Sequence, residues 1–393
     1  MAIGGSAAGL GRAGMEAFRR GDWPAAQAAF QGAIAAGLDD AGIWLALAHA
    51  QRGTQDLDGL AVSLDKVLAR DPRNCRALLL KGDLFAARGN DRSAVAFYRE
   101  ALKLAPPAAQ TPADLAAELW RAQGRCQDYA QKFESFLQER LGAAGFDPAH
   151  SSGRFTRSLD ILFGRRTVYM QQPQAYLFPE LPHIQFYERE QFPWLEKLEA
   201  ATDAIRAELL AIMQGPEPFQ PYLQSGSGDQ PEIDQSGLRD SQDWSAFYLW
   251  KHGEPQADNI ARCPATAAAL AGLPLPRIRG RSPSILFSRL KPGARIPPHT
   301  GFVNTRLICH LPLIVPPGCG FRVGNETREW REGQAWLFDD TIEHEAWNNS
   351  DQTRVILLFD VWRPELTAQE RDQVATMLAA IDDYGAGTGD WGN

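Results

Sequence analysis

His299 and His344 are the residues of this chain best suited to hold a metal ion. Forty-five residues separate them. His299 follows Pro297-Pro298 at what reads as a strand entrance, and His344 lies between Glu343 and Glu345 in a short β-type run. Ligands so far apart belong to different strands brought together by folding, not to one helix face. Imidazole suits iron, and equally zinc, copper and nickel. Iron sites of the two-histidine kind usually add a carboxylate, normally two residues after the first His. Here that residue is Gly301. Two histidines alone would leave the remaining positions to water, dioxygen and a bidentate ligand. Taken by themselves, the two are as well explained by burial in a core.

Other residues favour a site. Ser288 and Arg354 fall on predicted strands and can share one carboxylate, for which the arginine fork supplies two parallel hydrogen bonds. Arg306, Ile308 and His310 alternate along one strand, so their side chains share a face. If Leu307, Cys309 and Leu311 face packed core, Arg306 and His310 point into a pocket, where an anion would satisfy them. The other reading is an outer face of solvated charge. Asp339 and Asp340 serve either as partners of the ligating histidines or in a turn. Glu343 and Glu345 are expected on the face opposite His344. His49, His150, His183 and His252 carry no motif and read as structural, and Trp244, Trp250, Trp347 and Trp362 as packing.

The elements that must position these residues are short. From Trp244 onward the chain reads as β runs between turns: SAFYLW, SILFSRL, TRLICHLPLIV, CGFRV, QAWLF and TRVILLFDVW. Such spacing predicts an all-β sandwich or barrel. A helix is expected over 192–213 and another over 367–384, with a Gly/Pro/Ser-rich loop over 215–237. The tail from 385 is expected to be mobile.

The first hundred residues repeat at 34. Phe30, Leu64 and Tyr98 keep that step, as do Ala26, Leu60 and Ala94, then Ile34, Leu68 and Leu102. Pro72 and Pro106 are one step apart and Gly21 and Gly89 two, with Gln55 in the place of Gly between them. The pattern resembles the tetratricopeptide repeat, a pair of helices that must stack on its neighbours to bury its apolar face. Thr111-Pro112 is expected to start a further helix, to about Leu141, that caps the array. The stretch from 143 to 190 reads as irregular.

The stretch Ser284–Leu366 resembles the aspartyl/asparaginyl β-hydroxylases. The likeness rests on H-T-G-x-x-N-x-R-L-x-x-H (His299 to His310), Asn325-Glu326-Thr327 as a turn, F-D-D-x-x-E-H-E-x-W (Phe338 to Trp347) and D-V-W-x-P-E-L (Asp360 to Leu366). Weaker likeness reaches back to about Pro179. The resemblance implies a helical tetratricopeptide domain (1–145), a linker and entry segment (146–180), a double-stranded β-helix, or jelly roll of cupin-like type, with flanking helices (181–384), and a tail (385–393). It implies iron(II) held by His299 and His344, with glycine at 301 as a property of the family. It implies 2-oxoglutarate as cosubstrate, its distal carboxylate on Ser288 and Arg354 and its other end near His310, and molecular oxygen as oxidant. Arg306 matches an arginine associated with the substrate or cosubstrate carboxylate. Ile308 departs, because animal members carry a second arginine there. The expected activity is β-hydroxylation of an Asp or Asn residue in a peptide or protein that the repeats help to hold. A lipid or small-molecule hydroxylase and a non-catalytic scaffold with a ligand-sensing β domain are the alternatives.

Bulk properties narrow the classes. A formal net charge of -8 leaves no electrostatic footprint for nucleic acid over the chain as a whole. No apolar run is long enough for a membrane span. The opening MAIGGSAAGLGRAG lacks a signal-type apolar stretch. Five scattered cysteines form no zinc-type pairs. Together these point to reduced thiols and a cytoplasmic setting.

Overall fold

A computed structural model describes residues 6–225 and 237–384. The tail from 385, and residues 226–236 of the loop expected over 215–237, lie outside the described residues. The chain divides into two compact units, Met1–Phe163 and Gly164–Asn393.

The first unit is built from helix hairpins: α1 (Ala7–Arg19) with α2 (Trp23–Ala35), α3 (Ala41–Thr54) with α4 (Leu57–Arg70), and α5 (Cys75–Ala87) with α6 (Asp91–Lys103). Each helix starts where a short polar side chain accepts a hydrogen bond from an otherwise unpaired amide. These caps are Ser6, Asp40 and Asn74, then Asp22, Asp56 and Asn90, two further series at the same 34-residue step. The residues after α1, α3 and α5 carry the positive-φ step: Gly21 at φ 75°, Gln55 at 60° and Gly89 at 70°. The middle repeat therefore forces a glutamine into a conformation that suits glycine.

Packing inside each hairpin sets large against small. The Phe30 ring lies over Gly14 and the Tyr98 ring over Gly82, so close that a β-carbon on either glycine would collide with it. In the middle repeat Leu64 and Ala48 share one cluster. Phe30, Leu64 and Tyr98 are all buried, each contributing about 1.5–3 kcal/mol of transfer free energy.

Helix α7 (Ala113–Ala143) follows and packs on α6 through Leu115, Leu119 and Ala122. It starts later than expected. Pro112 occupies the cap position without a side-chain bond, and the Thr111 hydroxyl donates back to the carbonyls of Pro106 and Pro107. Within the stretch expected to be irregular, Ser152 caps a further helix, α8 (Gly153–Leu162), through the amide of Phe155.

The described residues of the second unit form eleven strands: β1 (Gln220–Pro221), β2 (Trp244–Lys251), β3 (Glu254–Pro255), β4 (Ile285–Leu290), β5 (Arg295–His299), β6 (Arg306–Ile314), β7 (Cys319–Val323), β8 (Glu326–Arg328), β9 (Trp336–Phe338), β10 (His344–Asn348) and β11 (Arg354–Trp362). One sheet runs β1-β2-β4-β11-β6-β9, with β3 on β2, and the other runs β5-β10-β7-β8. From β4 to β11 the chain passes back and forth between the two sheets with antiparallel pairing throughout. That is a double-stranded β-helix.

Strand parity splits the larger sheet. Leu307, Cys309, Leu311 and Leu313 of β6, with Val355, Leu357, Phe359 and Val361 of β11, pack in one core with Leu195, Leu198, Ile205, Leu209 and Ile212. The latter come from α9 (Leu195–Ala200) and α10 (Thr202–Met213). Ile308 and His310 of β6, with Ile356, Leu358 and Asp360 of β11, face the space between the sheets.

Several local expectations are corrected. The helix over 192–213 is two helices broken at Ala201, where the Thr202 hydroxyl donates to the Glu199 carbonyl. Two short helices, α11 (Ala257–Ala261) and α12 (Pro264–Leu270), lie between β3 and β4. Glu326 and Thr327 belong to β8, because Gly324, at φ 55°, makes the turn before them. His299 ends its strand rather than entering it. The last helix is α13 (Ala368–Tyr384).

Candidate active site

His299 closes β5 and His344 opens β10, and the two are directly paired across the smaller sheet. Their ring centroids are 4.1 Å apart. The Nδ1 of His299 lies 2.8 Å from the Pro297 carbonyl oxygen, and that of His344 lies 3.1 Å from the Ile342 carbonyl oxygen. A carbonyl only accepts, so Nδ1 carries the proton in each ring and Nε2 presents its lone pair. Burial lowers the pKa of both, and the neighbouring His299 lowers that of His344 further. Two neutral imidazoles with fixed tautomers are a fitting donor set for a divalent metal.

Among the described residues no group of three or more His, Cys, Asp or Glu side chains converges on such a site. The reason lies at Gly301. A β-carbon there would collide with the carboxylate of Asp340. Asp340 thus fills the space that a side chain on residue 301 would need. Its backbone carbonyl accepts from the Gly301 amide at 2.7 Å. Burial pushes the Asp340 carboxyl up to about 7, against the pull of Arg306, and its Oδ1 has no hydrogen-bond partner.

Both histidines line a cavity of about 280 Å³ between the sheets. Ser288, Arg306, Ile308, His310 and Arg354 line it too, so the residues singled out from the sequence converge. Arg354 is 1% exposed. Its Nη1 donates to the Ser288 carbonyl at 3.3 Å, its guanidinium lies 4.8 Å from the Trp330 ring centroid, and its Nε is unpartnered. Burial drags its pKa down to about 10. A buried cation without an acid is costly, and this one fits an anionic ligand. The Ser288 hydroxyl accepts from Trp244 Nε1 at 3.2 Å. His310 packs against Phe338 and Phe321 with Nδ1 unpartnered, and burial, reinforced by Arg354, holds its pKa well down.

Arg306 is different. The sequence associates it with a bound carboxylate, but the chain's own acids meet its charge: Asp360 at 3.3 Å and Asp340 at 3.6 Å. Asp360 also accepts from the Ser282 hydroxyl and the Ser284 amide.

The remaining candidates divide cleanly. Asp339 accepts from the amide and hydroxyl of Thr341, from Gln171 and from the fully buried Arg363 at 2.9 Å. It fixes the turn before His344 and does not face the histidines' Nδ1 atoms. Glu345 pairs with Arg295 and Arg322, and Glu343 with Arg322, away from the cavity. Trp244, expected only to pack, stacks on Tyr222 at 3.9 Å and also lines the cavity. Phe338, Ile356, Leu358 and Asp360 were readable by strand parity, whereas Tyr222, Leu238 and Trp330 carried no signal. Gln174 lies on a segment that runs beside the loop after His299, its amide donating to the Gly301 carbonyl at 3.0 Å and its side chain to the Thr300 carbonyl at 2.7 Å.

A jelly roll with paired neutral imidazoles and an unpaired guanidinium between its sheets defines a cupin-like domain whose pocket can take a metal and an anion. Residues 199–364 match the family model described as aspartyl/asparaginyl beta-hydroxylase. The chain is 33% identical over 264 residues to the human aspartyl/asparaginyl beta-hydroxylase, covering 61% of this chain and 33% of that protein. It is 33% identical over 230 residues to the ornithine lipid ester-linked acyl 2-hydroxylase of Rhizobium tropici, covering 58% and 76%. It is 30% identical over 214 residues to the human aspartate beta-hydroxylase domain-containing protein 2, covering 53% and 56%. The chain belongs to the aspartyl/asparaginyl β-hydroxylase family. It spans about a third of the length of the human β-hydroxylase. A solved tetratricopeptide domain of Arabidopsis OM64 is similar at 19% identity over 32% of this chain and 96% of that one, with a TM-score of 0.28.

Proposed function

We propose that this hydroxylase-family chain is an iron(II)- and 2-oxoglutarate-dependent dioxygenase. The observation that carries the reading is Arg354, a fully buried guanidinium with no acid partner among the described residues, in the same cavity as two neutral imidazoles. His299 and His344 would hold the metal through Nε2. Arg354 and Ser288 would hold the distal carboxylate of the cosubstrate, and His310 would lie beside it. Iron(II) with 2-oxoglutarate supplies oxidation of C–H to C–OH, one atom of dioxygen entering the alcohol and the other the succinate formed as carbon dioxide leaves. The chain's own part is to orient and to exclude water. Pro297 and Ile342 hold the imidazoles in one tautomer, and the Tyr222–Trp244 stack covers one wall of the cavity.

The family supports an Asp or Asn residue of a peptide or protein as substrate, which the repeat unit would help to hold. No described helix is long and apolar enough to cross a membrane, and we place the protein in the cytoplasm. A second reading, hydroxylation of a lipid or other small molecule, is favoured by one observation: Ile308 puts an aliphatic side chain on the cavity wall that Arg306 and His310 also line. A scaffold with an inactive β domain would have no use for the cost of an unpaired Arg354.

The test is succinate formation from 2-oxoglutarate by the purified chain with iron(II), ascorbate and dioxygen. Activity is expected, and is expected to vanish in the His299→Ala, His344→Ala double variant. Equal succinate from both proteins would falsify the enzyme reading.

A further inference from the structure

Asn304 lies in the loop after His299, and Asp339 opens the turn before His344. Both side chains are fully buried. Gln171, only 9% exposed, stands between them. Its Nε2 donates to Asp339 Oδ2 at 2.6 Å, and its Oε1 accepts from Asn304 Nδ2 at 2.9 Å. Arg363 closes a ring on the other side, its Nη1 donating to Asp339 Oδ2 at 2.9 Å and to the Asn304 carbonyl at 3.2 Å.

Every polar atom of the Gln171 and Asn304 side chains is used. Gln171 Nε2 also donates to the Pro182 carbonyl at 3.0 Å. Asn304 accepts from the Phe178 amide at 2.7 Å and donates to the Phe178 carbonyl at 2.9 Å. A buried network satisfied in this way is rigid, and removing one member leaves its partners unmet.

The backbone repeats the tie. Residues 171–178 form a strap across both turns. The Gln172 amide donates to the Thr341 carbonyl at 2.7 Å, the Gln174 amide to Gly301 at 3.0 Å and the Ala175 amide to Phe302 at 2.9 Å. Gly301 is two residues after His299, and Thr341 is three before His344. From Asp339 the constraint reaches an imidazole. The Asp339 carboxylate holds the amide and hydroxyl of Thr341, its carbonyl accepts from the Ile342 amide at 3.2 Å, and the Ile342 carbonyl holds Nδ1 of His344. Asn304 and Asp339 stand in the two motif runs, whereas Gln171 comes from the stretch read as a linker.

We propose that Gln171 is a positioning residue of the metal site, locking the His299 loop to the His344 turn so that the two Nε2 atoms are already in place when a metal binds. The proposal rests on the metal-binding reading above. Ligands that must be brought together at the moment of binding hold a metal less tightly than ligands set in advance. Loss of Gln171 therefore weakens metal binding out of proportion to its effect on the fold.

The test is titration of the metal-free full chain with cobalt(II) in the presence of 2-oxoglutarate, followed by calorimetry and by the visible bands of the bound ion, which report ligand geometry. Loss of binding in the His299→Ala, His344→Ala double variant assigns the cobalt(II) to the site. Gln171→Met keeps the length of the side chain and loses its hydrogen bonds. It is expected to raise the Kd for cobalt(II) about tenfold and to shift the bands. Val374→Ala, which opens a cavity under α13, is the control for general loss of stability. It is expected to lower the melting temperature and leave both readouts unchanged. If Gln171→Met does not fold, Gln171→Asn, which keeps the amide and shortens its reach, decides on the same two readouts. A folded Gln171 variant whose Kd and bands match the wild type, or change no more than those of Val374→Ala, overturns the proposal. Absence of cobalt(II) binding by the wild type would overturn the metal reading, and the proposal with it.

Discussion

Gly301 and Asp340 occupy one space: the carboxylate of Asp340 sits where the β-carbon of any other residue at 301 would lie. The position that usually supplies a third metal ligand is closed by packing as well as by residue type. Gly301→Ala is therefore expected to destabilise the protein by about 1–3 kcal/mol. Gly301→Asp should lose stability in the same way instead of gaining metal affinity. Adding Asp340→Ala should recover part of the loss, since neighbours that share a space are not additive. Denaturant melts of the two single variants and the double variant measure the coupling; strict additivity would show that the crowding does not matter.

Arg354 is charged at neutral pH even with its pKa drawn down to about 10. Removing it has opposite effects on the free and the ligand-bound protein. Arg354→Met should raise the melting temperature without 2-oxoglutarate, because it removes a buried charge. It should abolish the further stabilisation that 2-oxoglutarate is expected to give the wild type. In turnover, Arg354→Ala should raise the KM for 2-oxoglutarate by about 10- to 150-fold, the loss of a charge-assisted contact of about 1.5–3 kcal/mol. An unchanged KM would remove Arg354 from the cosubstrate site.

His49 in α3 lies edge-on to Phe18, 6.1 Å between ring centroids. Burial lowers its pKa to about 4, with Arg52 and Arg76 adding to the effect. The folded state then refuses a proton that the unfolded chain accepts near pH 6.5. Stability from this group is complete above about pH 6.5 and is lost as pH falls toward 4. The side chain is only partly covered by surface measure, so the loss is of the order of 1–2 kcal/mol. Hydrogen exchange across α3 should speed up between pH 6.5 and 4.5, beyond the intrinsic pH trend, and His49→Gln should flatten that response.

Gln55 holds φ 60° where the equivalent residues of the neighbouring repeats are glycine. Gln55→Gly should stabilise the helical unit by about 1 kcal/mol, because the left-handed conformation costs a β-carbon roughly 1–2 kcal/mol and glycine's larger unfolded-state entropy takes part of it back. Thermal unfolding of the full chain is the measurement. A lower melting temperature would mean that the Gln55 side chain contributes more than its backbone costs.

The order of repeats and then a β domain was legible because both obey short periods. The 34-residue step that sets Phe30, Leu64 and Tyr98 in one series also sets the six helix caps, all Ser, Asp or Asn. The site was legible where parity or motif reached it: Arg306, Ile308 and His310 share a face, and Arg354 begins a strand whose alternate residues line the cavity. Local breaks were not legible. The interruption at Ala201 and the late start of α7 go with hydroxyl hydrogen bonds of Thr202 and Thr111 that propensity does not report.

Glycine at 301, isoleucine at 308 and the two histidines are properties of the sequence alone, and they define what chemistry the cavity can hold. Which charges cancel was decided only in three dimensions. Arg306 and Arg354 are the same residue type on neighbouring strands of one sheet, yet Arg306 meets Asp340 and Asp360 while Arg354 meets no acid among the described residues. Periodicity sets the face of a strand on which a side chain lies. The partner across that face comes from residues far away in the chain, and only the packing of the two sheets brings them within reach.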